Sequence, residues 1–196
     1  MFTIIPCAAG CGKPSITGNT LCFTHLAHPE QEHTRICDYL INNQTVKDLN
    51  VSGLRFEKMN FSGHNFFGCN FKETSFTDCD FSGVKIRMSF FDFSEFLNCD
   101  FTKSDIQFLS FAGAIFNNCI FNDSEIVHVN FGGASVNETS FNNSNLYNSR
   151  FISADLSKST FVNCNLKRVH FANAKQNEIK FKSSNTAEAL FEMEEK

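Results

Sequence analysis

Residues 91–130 read FDFSEFLNCD FTKSDIQFLS FAGAIFNNCI FNDSEIVHVN, and this stretch decides the fold. An apolar residue stands at every fifth position, and a Phe opens each block of ten. The pattern extends in both directions, so that all 24 fifth positions from Phe56 to Phe171 are apolar and 17 of them are Phe. A period of five fits neither the 3.6-residue period of a helix nor the two-residue period of a simple strand. The chain therefore has to turn a corner every five residues.

A second period, of twenty residues, lies over the first. The columns that contain Phe121 and Phe131 are Phe throughout, whereas the two columns between them mix Phe with Ile, Leu and Val. The residue two places before each apolar position is usually small, and the residue directly before it is often Asn or Asp, which favour turns. Four five-residue sides therefore make one coil around a narrow apolar interior.

The repeated motif small–Asn/Asp–Leu/Phe–x–x resembles the pentapeptide-repeat family over about residues 44–182. The resemblance implies an all-β fold, a right-handed quadrilateral β-helix. The two periods predict about seven coils of 20 residues.

Four residues near the N-terminus have the spacing of a metal knuckle. Cys7 and Cys11 form one short pair and Cys22 and His25 a second, in the pattern C-x3-C-x10-C-x2-H. Zn²⁺ prefers four such ligands in a tetrahedron, usually from two short-spaced pairs. The sequence predicts a structural zinc that supplies folding energy to a segment with few apolar residues. Free thiols in a loop are the alternative. His28, His33 and Cys37 are substitute ligands, with His28 the main alternative to His25.

Residues 29–42 are predicted to form a short helix. Pro29 suits the first helical position, and Ile36, Tyr39 and Leu40 share one face at helical spacing. We expect this helix to cap the open N-terminal end of the β-helix, as terminal repeats require. A helix that binds a partner is the alternative.

A second short helix is predicted at the C-terminus, because Asn185 with Glu188 three residues later resembles a capping box. It would extend to about Glu195. The chain then divides into a zinc-knuckle-like segment with its capping helix (1–43), the β-helix (44–182) and a C-terminal capping helix (183–196).

The nine Cys are an odd number, which argues against a full disulfide framework. Five of them occupy the small inward position of the repeat: Cys69, Cys79, Cys99, Cys119 and Cys164. We expect buried thiols that fill space beside Phe. A redox or metal ladder is the alternative.

Charge and composition exclude several classes of function. The net charge of −4 is a poor footprint for direct nucleic-acid binding. No apolar run approaches the roughly 20 residues of a membrane span, and no basic region of a secretory signal opens the chain. No phosphate loop or Ser/His/acid set is recognisable from spacing. These observations predict a cytoplasmic non-enzyme without a small-molecule substrate.

The charge is distributed unevenly along the repeat. Residues 54–149 carry 6 basic and 11 acidic side chains, whereas residues 150–182 carry 7 basic and 2 acidic ones. The front of the rod is therefore acidic and the rear basic, which favours electrostatic steering of a partner or head-to-tail contacts.

Large apolar residues that lie off the five-residue register are expected to point outward. Five of them are candidates for a contiguous patch: Phe67, Met88, Phe90, Phe93 and Phe108. Such patches usually mark interfaces, although the chain's own N-terminal segment is an alternative cover. We therefore predict a non-enzymatic structural module that binds a protein partner, and a homodimer through the C-terminal end is a further expectation.

The family resemblance implies an alternative function. Some pentapeptide-repeat proteins are DNA-mimicking modulators of type II topoisomerase (gyrase), of the quinolone-protection kind. Those proteins depend on a strongly acidic rod and a C-terminal dimer, and the basic rear of this rod departs from that pattern.

Overall fold

The computed structural model describes residues 4–192 and consists of an N-terminal knuckle, one helix and a parallel β-solenoid of about seven coils. The knuckle includes a short 3₁₀ helix, Phe23–His25, and the helix α1 spans Pro29–Asn42. The predicted fold class and the predicted helix over residues 29–42 are confirmed. Within residues 4–192, no helix is both long and apolar enough to span a bilayer.

Two faces of the solenoid are sheets of three-residue parallel strands. The first sheet contains, in spatial order, β1 (Thr45–Lys47), β3 (Asn65–Phe67), β5 (Lys85–Arg87), β7 (Asp105–Gln107) and β9 (Glu125–Val127). The second contains β2 (Arg55–Glu57), β4 (Ser75–Thr77), β6 (Glu95–Leu97), β8 (Ile115–Asn117), β10 (Ser135–Asn137), β11 (Asp155–Ser157) and β12 (Lys175–Asn177). Paired residues are 20 apart, as with Ile86 and Ile106, so the sequence period is the length of one coil.

The other two faces pair through single residues. We call them the Phe91 face and the Phe101 face, after a buried Phe of each column. On the Phe91 face, Phe90 bridges to Ser110, and on the Phe101 face Asp100 bridges to Ile120. These are the two columns that the sequence fills with Phe.

The Phe columns are continuous stacks through the core. Phe121 lies between Phe101 and Phe141, with ring centroids 4.4 and 4.9 Å away and the planes within 5°. The backbone N–H of Phe121 donates to the carbonyl of Ser140 in the next coil at 2.6 Å. Each buried Phe contributes about 1.5–3 kcal/mol relative to exposure, and stacked pairs add about 0.5–1.5 kcal/mol.

The small inward residues tie successive coils together. Ser94 Oγ donates to the carbonyl of Phe71 at 2.7 Å, and Cys99 Sγ to that of Phe76 at 3.5 Å, in both cases 23 residues back. The five repeat Cys are buried, as predicted, and none of the nine forms a disulfide. Burial raises the pKa of the Cys69 thiol to about 11, so it stays protonated.

Each corner is turned by one residue in the left-handed region. The residue two places after every inward residue, from Asp48 to Ser183, has a positive φ, and the non-glycine values lie between 49° and 61°. The residue before the inward position closes the turn, as when Asn60 Oδ1 accepts from the backbone N–H of Ser62 at 2.8 Å. The corners therefore favour Asn, Asp and Gly, and every larger residue pays a conformational cost for the left-handed backbone there.

Helix α1 packs on the N-terminal coil. Ile36 and Leu40 are buried in the core, and the Leu40 carbonyl lies 3.0 Å from His64 Nε2. The expectation that Tyr39 shares this face is wrong, because its side chain is exposed. Cys37, one turn before the buried end of the helix, packs against the core instead.

The predicted C-terminal helix is much shorter than expected. Within residues 4–192 it is a single 3₁₀ turn, Thr186–Glu188, and Glu195 lies outside the described residues. Asn185 is the N-cap residue of this turn, but the capping-box bonds to the backbone are absent because its side chain extends an Asn ladder; its Nδ2 donates to Glu188 Oε1 at 2.8 Å instead. Its Oδ1 accepts from the backbone N–H of Leu166 at 2.6 Å, and its Nδ2 donates to Asn165 at 3.3 Å.

The stacked core predicts a position-dependent cost of cavities. Phe121→Ala is expected to lower the free energy of unfolding by about 3–5 kcal/mol, because rings above and below prevent collapse. Phe191→Ala, at the end of the opposite Phe column where the residue is 36% exposed, should cost less than half as much. Urea denaturation followed by circular dichroism measures both, and equal losses would contradict a stack held from both sides.

Candidate functional site

The four predicted knuckle residues form one cluster. The ligand atoms of Cys7, Cys11, Cys22 and His25 all lie within 4.8 Å of one another. The Sγ atoms of Cys11 and Cys22 are 3.6 Å apart, and His25 Nδ1 lies 3.4 Å from Cys22 Sγ and 3.5 Å from Cys7 Sγ. A tetrahedral zinc with bonds of about 2.3 Å to sulfur and 2.0–2.1 Å to nitrogen requires spacings of about 3.6–3.8 Å, so the cluster has the size of such a site.

Local backbone structure brings the four side chains together. Gly10 and Gly12 adopt φ of +71° and +78°, which turn the chain tightly on both sides of Cys11. The 3₁₀ turn that begins after Cys22 carries His25 back toward the thiols. The alternative ligand, His28, is not part of the cluster.

The cluster already favours a thiolate. The backbone N–H of Cys22 donates to Cys7 Sγ at 3.3 Å. This hydrogen bond lowers the pKa of the Cys7 thiol to about 6. A deprotonated sulfur is the form that binds metal ions.

The knuckle is joined to the solenoid at the first rung of the Phe91 face. The backbone N–H of Thr17 donates to the Asn50 carbonyl at 3.0 Å, and the N–H of Asn50 donates to Thr17 Oγ1 at 2.7 Å. Asn50 Nδ2 also donates to the Ser15 carbonyl. A fixed knuckle therefore holds residues 15–17 against an otherwise unpaired end of the solenoid.

A groove of about 800 Å³ lies between α1 and β2, and sequence periodicity gave no sign of it. Its wall includes His33, which stacks on Phe56 and lies 3.8 Å from Cys37 Sγ. Burial raises the pKa of the Cys37 thiol. A nucleophilic Cys is activated by a lowered pKa, and the shift at Cys37 is in the opposite direction.

The predicted apolar patch is strongest at the corners. Met88, Phe93 and Phe108, which we call the apolar corner residues, are 63%, 68% and 57% exposed. Phe67 and Phe90 are half-buried, and Lys72 Nζ lies 5.0 Å from the centre of the Phe90 ring. The corners that hold Met88 and Phe108 form one edge of the Phe91 face, and Phe93 stands on the other edge.

Neighbouring coils seat the two exposed rings. Phe108 stacks on His128 with ring centroids 4.9 Å apart and planes 12° from parallel. The Phe93 ring lies over Gly113, where an added Cβ would come within 2.6 Å of two ring carbons. A glycine is therefore required beneath Phe93 by the close approach of the ring.

Family comparison agrees with the architecture. A model of pentapeptide repeats (8 copies) matches residues 48–87, and a model of the pentapeptide repeat region matches residues 124–195. The chain belongs to the pentapeptide-repeat family. A comparison with curated protein sequences gives no match.

Solved structures of other pentapeptide-repeat proteins are similar to this one. HetL, a pentapeptide-repeat protein involved in heterocyst differentiation regulation from the cyanobacterium Nostoc sp. strain PCC 7120, has 11% identity and a TM-score of 0.51 over 80% of this chain and 95% of HetL. QnrB1, a plasmid-mediated fluoroquinolone resistance protein, has 16% identity and a TM-score of 0.47 over 74% of this chain and 79% of the matched chain. At 11% identity, the similarity to HetL concerns the fold and not the role.

For this pentapeptide-repeat protein, spacing alone identified the four Cys and His residues that the fold clusters, but it missed two features of the surface. The left-handed backbone at Met88, Phe93 and Phe108 was not foreseen, with φ of 49°, 58° and 54°. The contact of Phe108 with His128 was also missed. The twenty-residue spacing of that pair was the available signal.

The corner geometry predicts that Phe108→Asn leaves the free energy of unfolding within about 1 kcal/mol of wild type. Asn tolerates a positive φ, and this gain offsets the loss of one exposed aromatic contact. Phe111→Asn is the matched control, since Phe111 is fully buried and should lose more than about 3 kcal/mol. Thermal and urea denaturation measure both. A large loss for Phe108→Asn would show that its ring serves stability.

Proposed function

We propose that this pentapeptide-repeat protein is a non-enzymatic interaction module, which presents the apolar corner residues to a protein partner. The solenoid holds Met88, Phe93 and Phe108 on the two edges of one flat face. Phe67 and Phe90 are half-buried beside them and extend the apolar surface. The rigid rod keeps these side chains in place before a partner arrives, which reduces the entropy lost on binding.

The observation that carries this proposal is the placement of large apolar side chains where folding gains least from them. All three adopt a left-handed backbone that Asn or Gly adopts more easily, and all three are more than half exposed. An exposed Phe in a strained corner adds little to the core. A contact with another protein would explain such a residue, since aromatic residues and Met are enriched at interfaces.

The alternative cover for these residues was the chain's own N-terminal segment. In residues 4–192, the knuckle instead packs on the end of the solenoid at Asn50, and the apolar corner residues keep their exposure. A DNA-mimicking role requires an acidic surface, and the 7 basic and 2 acidic residues of 150–182 argue against that role.

The Cys₃His cluster supports a structural zinc site. Three thiols and one imidazole fill a tetrahedron and leave no open position for a substrate, which is typical of structural zinc. Cys7 and Cys22 are buried, in a segment whose other packing is sparse. Bound metal would then stabilise the knuckle and, through residues 15–17, the first rung of the solenoid.

Partner binding is predicted to depend on the corners. Phe93→Asn/Phe108→Asn should abolish capture of a host protein that the wild type retains, while the fold stays intact because Asn suits both corners. Leu97→Asn/Ile120→Asn removes two exposed apolar residues from other faces and should capture that protein as wild type does. Affinity capture from host lysate with quantitative mass spectrometry compares the three. Identical capture by all three variants would sink the proposal.

Metal content is predicted to be one zinc per chain. His25→Ala should lose most of the metal and lower the melting temperature, because the tetrahedron loses a ligand. His28→Ala should keep the zinc content and the melting temperature of wild type, since His28 lies outside the cluster. Plasma mass spectrometry and differential scanning calorimetry measure these properties. A metal-free wild type with an unchanged melting temperature after chelation would contradict a structural zinc.

A further inference from the structure

The Phe91 face has a second property besides its apolar corners, because its middle coils carry no outward carboxylate, whereas Asp92 and Glu188 stand at the two ends of this stretch. From Phe93 to residue 187, the outward positions of this face and its two corners hold no Asp or Glu. Four basic or imidazole side chains stand there: His128, Arg150, Arg168 and His170. The acidic residues of these coils lie on the other faces together with six of the eight Lys and Arg residues. The side that carries the apolar corner residues holds Arg150 and Arg168 without an acid, so it is net positive.

A recess of about 180 Å³ lies on this face next to His128, the residue on which Phe108 stacks. We call it the His128 recess; it is lined by His128, Val129, Asn130, Asn148 and Arg150. Because the Phe108 ring stacks on the His128 ring, the recess and the apolar edge form one continuous surface.

The polar groups of the His128 recess are mainly hydrogen-bond donors. Asn148 Nδ2 donates to His128 Nδ1 at 2.6 Å, and in the tautomer that accepts this bond Nε2 carries the ring N–H. Asn130 Oδ1 is engaged by the backbone N–H of Gly132 at 3.0 Å, so its amide hydrogens remain the available groups. Within residues 4–192, no carboxylate pairs with Arg150. A carboxylate satisfies such a set of donors.

We propose that the partner contributes an acidic segment to this face, with an apolar side chain on Phe108 and a carboxylate in the His128 recess. This inference rests on the proposed function and adds the chemistry of the partner. Phe108 and Arg150 are two coils apart, which is about 10 Å at the spacing of parallel strands. An extended chain covers that distance in about three residues.

The segment is expected to run along the rod and to meet a second basic group one coil further. Arg168 stands at the corner one coil beyond Asn148, and its Nη1 donates to the hydroxyl of Tyr147 at 3.3 Å. His170 stands one coil beyond Arg150 on the same column. The favoured sequence therefore has an apolar residue and an Asp or Glu about three to five positions apart, in either order.

A protein segment fits this surface better than a nucleic acid. The front of the solenoid, residues 54–149, carries 6 basic and 11 acidic residues, and a long polyanion on the rod would meet that repulsion. A short acidic segment with an apolar anchor contacts both the basic rear of the rod and the apolar corner residues.

The test is selection of a phage-displayed library of random dodecapeptides on the full-length protein, with subtraction on Phe93→Asn/Phe108→Asn. Selected peptides are then measured by fluorescence polarisation against wild type, Arg150→Glu and Lys180→Glu. Lys180 occupies the equivalent position on the opposite Phe101 face, so its variant has the same change in charge away from the site. We expect peptides that combine apolar residues with Asp or Glu. Their affinity should fall at least about tenfold in Arg150→Glu and little in Lys180→Glu, with a smaller difference at high salt.

The remaining outcomes separate the inference from the proposed function. Neutral or basic peptides that depend on Phe93 and Phe108 but not on Arg150 would overturn the acidic segment and leave the interaction module in place. Peptides that bind the subtraction variant equally, or no enrichment at all, would overturn both. A short oligothymidine that binds more tightly than every peptide and is lost in Arg150→Glu would assign the surface to nucleic acid and overturn the inference.

Discussion

The structure depends on one constraint, the twenty-residue register that places every inward side chain over its equivalent in the next coil. Backbone hydrogen bonds hold this register, such as that from Phe121 to the Ser140 carbonyl at 2.6 Å. Because the register is kept, the Phe columns stack at centroid distances near 4.4–5.4 Å. A one-residue slip would expose a whole column. Corners, faces and ends all follow from this repeat.

The same register determines what the surface can do. Side chains 20 residues apart become neighbours, so Phe108 meets His128 and Asn148 follows as the next corner. The fold thereby lines up along the rod a row of side chains that are far apart in the sequence. The left-handed backbone of the corners also restricts which residue types fit there, since Asn, Asp and Gly adopt it at low conformational cost. Large apolar residues at such positions therefore point to a contact outside the chain.

The ends of the rod are stabilised by different means. At the N-terminus, α1 and the knuckle cover the first coil, with Leu40 and Asn50 as the contact points. At the C-terminus, within residues 4–192, the Asn ladder continues through Asn185 into a single 3₁₀ turn. The polar ladder competed successfully with the capping box because the preceding coil already offered its partners, Asn165 and Leu166, at the right spacing.

The sequence by itself determined the coil length, the inward columns, α1 and the four members of the Cys/His cluster, because each depends on local spacing or on a strict repeat. Tertiary structure decided the rest. Tyr39 is exposed and Cys37 packed because the tilt of α1 depends on its contact with the solenoid. The left-handed corners under Phe93 and Phe108, and the recess beside His128, exist only once coils stack. Periodicity shows which residues share a column, but the backbone conformation and the space between side chains arise from packing in three dimensions.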